Sequence, residues 1–151
     1  MSSNTITEVK SALVSALGSI QTSTGYKSNL PASKIQSGYA KNIIDSTLDD
    51  NYPKCCVMYD LGRSDRETSG FLSKTLNFII IFIAKRTKAV DLDAAVQCEN
   101  FIDDLDRLVK LNETLGGSVS TCSISEWVTD DGVRSPEGIV LAYLTTEREV
   151  H

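Results

Sequence analysis

Nucleophilic and metal chemistry in proteins draws mostly on histidine, cysteine and clustered carboxylates. The chain has one histidine, and it is the last residue, His151. Chain ends fray and do not hold a catalytic geometry. Triad-type hydrolysis is thus left without an internal imidazole to accept the proton. Cys55, Cys56, Cys98 and Cys122 include no C-x-x-C pair and have no histidine companion, which excludes a zinc site of usual ligand spacing. They read as small apolar core residues with free thiols. Asp103, Asp104 and Asp106 crowd one stretch, yet helical spacing sends them largely to the solvent side, where acidic residues are normally found. Asp130-Asp131-Gly132 with Glu137 lacks the alternating oxygen ligands of a calcium loop and reads as a turn. Neither G-x-x-x-x-G-K-[ST] nor G-x-S-x-G occurs, and Gly116-Gly117-Ser118 follows a helix instead of opening one. The expectation is a chain that is not an enzyme, with no catalytic residue, cofactor or metal.

What remains are residues suited to meeting another macromolecule. Lys85, Arg86 and Lys88 are the densest basic group and stand at a strand exit, where they can meet acidic groups of a neighbouring subunit. Arg63, Asp65, Arg66 and Glu67 form a mixed-charge segment, which reads first as a solvated loop tip and otherwise as a surface for a protein neighbour. Trp127 lies beside the Asp-Asp-Gly turn, and exposed tryptophan is enriched at binding hot spots. Ile79, Ile81 and Ile83 alternate along one face of an otherwise apolar strand, so that face must be covered by a helix or by another chain.

Periodicity predicts the elements that carry these groups. With 151 residues, 41% hydrophobic and 23% charged, the chain suits one domain, 1–151, long enough to bury its own core. Thr5 and Glu8 have capping-box spacing, and Ile6, Val9, Leu13, Ala16, Leu17 and Ile20 recur at three and four. A helix from Thr5 to about Gln21 is predicted. Residues 26–51 are ambiguous: Ile35, Tyr39, Ile43, Ile44 and Leu48 suit a short helix, while the Ser, Gly and Asp content suits a loop. Lys54 to Leu61 alternates as a strand, with Cys55, Val57, Tyr59 and Leu61 on one side and Cys56 and Met58 on the other. A charged loop, 62–70, then leads to a long strand from Phe71 to about Thr87. One face of that strand is apolar from Leu72 to Ala84 except at Lys74. The other begins polar, with Ser73, Thr75 and Asn77, and ends in the three isoleucines.

Asp91 is the predicted N-cap of a second helix reaching about Asn112, with Val96, Cys98, Ile102, Leu105, Leu108 and Val109 as its buried stripe. A strand from Val119 to Thr129, a turn, a closing strand from Ile139 to Thr146 and a charged tail, Glu147 to His151, complete the chain. The order α-(uncertain)-β-β-α-β-β predicts an α+β fold, a mixed or antiparallel sheet packed against two main helices.

Fifteen Lys and Arg against twenty Asp and Glu give a net charge of -5, the wrong sign for a surface that grips phosphates. The polar start, Met1 to Ile6, has no signal-peptide pattern, so a reducing cytoplasm is expected. The longest apolar run, Leu76 to Ala84, is too short for a membrane span.

The amphipathic first helix, the "YPKCCVMYDLG" strand, "FLSKTLNFIIIFIAK", the "LDAAVQCENFIDDLDRLV" helix and the closing "GIVLAYLTTERE" together resemble the tail terminator, or tail completion, proteins of long-tailed bacteriophages. The resemblance leaves out 26–51 and rests on the order and character of the elements. It implies a small α+β subunit of a hexameric ring that caps the tail tube, ends its polymerisation and presents a surface to the head-completion proteins of the neck. It further implies an acidic inner wall past which DNA slides without specific binding. The place implied is the virion tail or neck, and the host cytoplasm during assembly. Strands apolar on both faces suit such self-assembly. Two other readings are another neck component, such as a head-closure, connector or tail-tube-like protein, and a small ligand-binding α+β domain.

Overall fold

The computed structural model describes residues 5–39, 41–66, 72–130 and 136–150, with side chains described for these except 5, 61–66, 72–73, 130 and 149–150. The helices are α1 (Thr5–Leu17), α2 (Lys41–Ile44) and α3 (Ala94–Leu111). The strands are β1 (Ile35–Ser37), β2 (Lys54–Arg66), β3 (Leu72–Lys85), β4 (Thr121–Asp130) and β5 (Glu137–Val150). They form one sheet in the order β1-β2-β3-β5-β4, antiparallel except for the parallel β1–β2 pair. The fold is α+β, with a mixed sheet.

β3 is central because its run of isoleucine and phenylalanine suits a strand covered on both flanks. Its Leu76, Phe78, Ile80, Phe82 and Ala84 are buried with Cys55 and Val57 of β2 and with Val140, Ala142 and Leu144 of β5. Onto this face pack Val9, Leu13 and Leu17 of α1 and Cys98, Phe101, Leu105 and Leu108 of α3. The Phe82 and Phe101 rings stack at 4.1 Å. α3 comes so close to β5 at Gly138 that a Cβ there would sit 2.8 Å from Cys98 Sγ, closer than two such atoms can approach.

Several expected boundaries move. α1 stops at Leu17. The Thr5 half of the anticipated capping box lies outside the described side chains, and Glu8 instead accepts from Arg148 Nη1 of β5 at 2.6 Å. Asp91 is not the cap of α3. Asp93 holds that position, with its carbonyl accepting from the Gln97 N–H at 3.0 Å. Both carboxylates face Arg86, Asp91 at 3.4 Å and Asp93 at 3.1 Å.

The buried stripe of α3 is rotated from the expected one. Gln97, Cys98, Phe101, Asp104, Leu105 and Leu108 point inward, Val96 is exposed, and Ile102 and Val109 only flank the core. Asp104, expected on the solvated face, is 2% exposed. It is drawn in because its Oδ1 accepts the Lys27 N–H at 2.7 Å, pinning the 26–30 stretch to α3.

The strands outrun their expected ends. β2 continues through the supposed loop to Arg66, and β5 continues through the supposed tail to Val150. Between them β3 pairs with both, from Arg66↔Leu72 and Leu72↔Val150 onward. Polar residues on both faces look like a loop in sequence, but pairing with β3 along one side satisfies much of the backbone of both extensions whatever the side chains are. The ambiguous 26–51 stretch holds the fifth strand, β1, and the single turn α2. Tyr26, Leu30 and Ile35 join the main core.

Candidate functional site

The sheet's second face can be read row by row from the register across β2, β3, β5 and β4. One row is Met58, Ile79, Tyr143 and Glu126, and the next is Cys56, Ile81, Leu141 and Val128. A third is Lys54, Ile83 and Ile139. The 41–52 segment lies over the third row, where Ile44 and Tyr52 close on Cys56 and Ile83 as a second small core.

Two lysines tie this segment down. Lys54 is 0% exposed. Its Nζ donates to the carbonyls of Ile43 at 3.0 Å and Ser46 at 2.6 Å, and stands 4.3 Å from the centre of the Tyr52 ring. Lys85 Nζ reaches the Thr47 carbonyl at 3.1 Å and Asp49 at 2.8 Å, 4.7 Å from the same ring. Tyr52 O–H donates to the Ser46 carbonyl at 3.2 Å. Burial, then the Glu137 carboxylate beside it, pushes the Tyr52 pKa up to about 12. Burial lowers the pKa of Lys54, opposed by Glu137 and Asp45. Carbonyl oxygens and an aromatic face thus replace the water that a buried ammonium loses.

The strap's cluster also packs on Met58 and Ile81, and beyond it the cover of this face thins. Met58, Ile79, Ile81, Leu141 and Tyr143 lie side by side and half-buried. They end at β4, the sheet's outer strand, where Val128 is 55% exposed and Trp127 53%. A bulge at Ser125 sets this arrangement. Its hydroxyl donates to the Tyr143 carbonyl at 3.0 Å. The extra residue puts Trp127 level with Ala142 and Val128 level with Leu141.

The residues singled out from sequence fall into three groups. Ile79 and Ile81 belong to the open face, while Trp127, level with Ala142, is exposed on the helix side of the edge strand β4. Ile83, expected to be covered by a helix or by another chain, is 7% exposed beneath the chain's own strap. Lys85 and Arg86, expected to reach out to a neighbour, are engaged within the chain, one holding the strap and the other the entrance to α3. Arg63, Asp65 and Arg66 sit on strand positions level with Thr75, Ser73 and Leu72 rather than on a loop tip; Glu67 lies outside the described residues, as does most of the Asp-Asp-Gly turn. Sequence reasoning missed Met58, Leu141, Tyr143 and Val128 as members of the patch. Alternation along β5 was visible, but its partner rows were not.

Burial raises the thiol pKa of Cys55 well above the usual value, and those of Cys56 and Cys122 to about 11, so at neutral pH they are protonated. Among the described residues no three His, Cys, Asp or Glu side chains come together as a metal site. A cleft beside α3 is lined by Lys27, Asn29, Phe82, Leu92 and Gln97. Two of its polar groups are engaged within the chain: Lys27 meets Asp103 at 2.5 Å, and the Gln97 amide donates to the Lys85 and Leu92 carbonyls at 3.0 and 2.9 Å. No described helix is long and apolar enough to cross a membrane. No protein-family model matches the chain, and no curated protein sequence matches it.

Proposed function

We propose that this chain is a non-enzymatic assembly protein of a phage virion, a ring-forming tail terminator that caps the tail tube, ends its polymerisation and joins tail to neck. The observation that carries the reading is the unequal cover of the sheet: a partly covered apolar patch of Met58, Ile79, Ile81, Leu141 and Tyr143 runs to Val128, exposed on the edge strand β4. Contiguous apolar surface of this kind is the usual mark of a protein interface. The partners are further copies of the chain in a hexameric ring, the tail-tube protein and a head-completion protein of the neck. The net charge of -5 suits a wall past which DNA slides, because like charge repels phosphate.

Light scattering coupled to size exclusion, together with electron microscopy of uncapped tail tubes mixed with the protein, tests the reading. Ring-sized particles or capped tube ends are expected. A chain that stays monomeric and leaves tube ends bare sinks it.

A further inference from the structure

The sheet has two open edges. β4 is its last strand, so its outer side has no described neighbour. At the opposite end β1 pairs with β2 only from Ile35↔Cys55 to Ser37↔Val57, and Gly38 N–H adds one bond to the Val57 carbonyl at 2.8 Å. From Met58 to Arg66, β2 has β3 on one side and no described strand on the other. Monomeric proteins usually blunt such edges with lysine, proline or shortness. β4 is ten residues long, TCSISEWVTD, with no Lys, Arg or Pro.

These edges are complementary to each other. β3 is antiparallel to β2 and β5, and β5 is antiparallel to β4, so β4 runs opposite to β2. Rotating a second copy about an axis along the strands therefore lays β4 of one copy antiparallel to β2 of the next, the same relation that holds β2 to β3. A head-to-tail contact of this type closes into a ring when the rotation between successive copies divides a full turn, and otherwise grows as a filament. Because β1 occupies the start of β2, the incoming β4 must be displaced along it, and sheets that close on themselves need such a stagger.

We infer that the copies join by continuing one sheet from chain to chain, β4 of each pairing with the Tyr59–Arg66 stretch of the next. The register that sets Glu126 level with Arg63 also sets Val128 level with Leu61 and Trp127 level with Gly62, the stretch that lies between the bulge at Ser125 and the one in β2 between Tyr59 and Leu61. Glu126 and Arg63, of opposite charge, then occupy facing backbone positions, the arrangement that favours one register over its neighbours. This pairing rests on the ring reading above and says which surface makes the ring.

Trp127 is the chain's one tryptophan, so its emission reports on this edge alone. Sedimentation velocity and fluorescence are followed together at rising concentration and on uncapped tubes. The expected result is a shift of emission to shorter wavelength in step with ring formation. Val128→Lys should keep the far-ultraviolet circular dichroism of the folded chain and lose assembly at least tenfold. Glu126→Arg should weaken assembly and Arg63→Glu restore it in the same chain. Rings that form with unchanged emission, from wild type and Val128→Lys alike, overturn the edge pairing and leave the ring reading standing. An emission shift that needs tube protein, without self-association, assigns the edge to the tube and overturns copy-to-copy pairing. A double charge swap no better than Glu126→Arg overturns the register. A chain that neither associates nor binds tubes overturns both readings.

Discussion

The two faces of the sheet are closed by different physics. On the helix face, α1 and α3 bury Phe78, Ile80, Phe82, Phe101 and Leu105 at no more than 2% exposure, with hardly a polar atom among them. On the other face the strap meets the sheet through a small apolar cluster, and two lysine tips hold its backbone carbonyls. Close apolar packing is insensitive to pH and salt and fails only when volume is lost. A cover held by ammonium groups is local and can be released without unfolding the rest. One face builds the domain, and the other decides how much apolar surface is shown.

Substitutions can break this contrast, the largest effect first. Phe101→Ala removes a fully buried ring stacked on Phe82 and should cost about 3–5 kcal/mol, read as a lower urea midpoint for the whole chain. Lys54→Ala should cost less, about 1.5–3 kcal/mol, since hydrogen bonds from a charged donor are lost. Its signature is regional: amide exchange should accelerate in 41–52 while α3 stays protected. Equal acceleration in both would show that the two faces open as one unit and that the contrast is false.

The smallest effect sharpens the contrast through pH. Tyr52 has a folded pKa of about 12 against the ordinary tyrosine value of 10.0. The stability it contributes is complete below the unfolded pKa and is lost as pH rises through the folded one, so stability should fall between these values. Tyr52→Phe should flatten that fall while leaving neutral-pH stability within about 1 kcal/mol of wild type. Denaturation midpoints across the alkaline range check both.

Much of the helix face was legible in the sequence because it is periodic. The alternation of Leu76, Phe78, Ile80, Phe82 and Ala84 and the spacing of Val9, Leu13 and Leu17 point to strand and helix without help from neighbours. The candidate site was legible only in part. Ile79 and Ile81 declare an apolar face, but whether it is covered depends on residues 41–52, whose single helical turn and short coil carry no period. β1 is three residues long, too short for alternation to show, and exists because β2 offers it a partner. Asp104 misled for a related reason: spacing put it among acidic residues on a solvated face, and only a distant backbone N–H, that of Lys27, explains its burial.

The bulge at Ser125 carries a further consequence. Simple alternation from the core-facing Ile124 would turn Val128 toward the helices and Trp127 away; the one extra residue reverses both, bringing Val128 into the row of Ile81 and Leu141. A strand that holds such an offset responds differently to substitution and to deletion. Exchanging one side chain alters a single contact, whereas losing the codon for Ser125 would swap the two surfaces along the rest of β4 at once. In-frame deletion is therefore the mutation by which a lineage could redirect this edge toward a different neighbour in a single step.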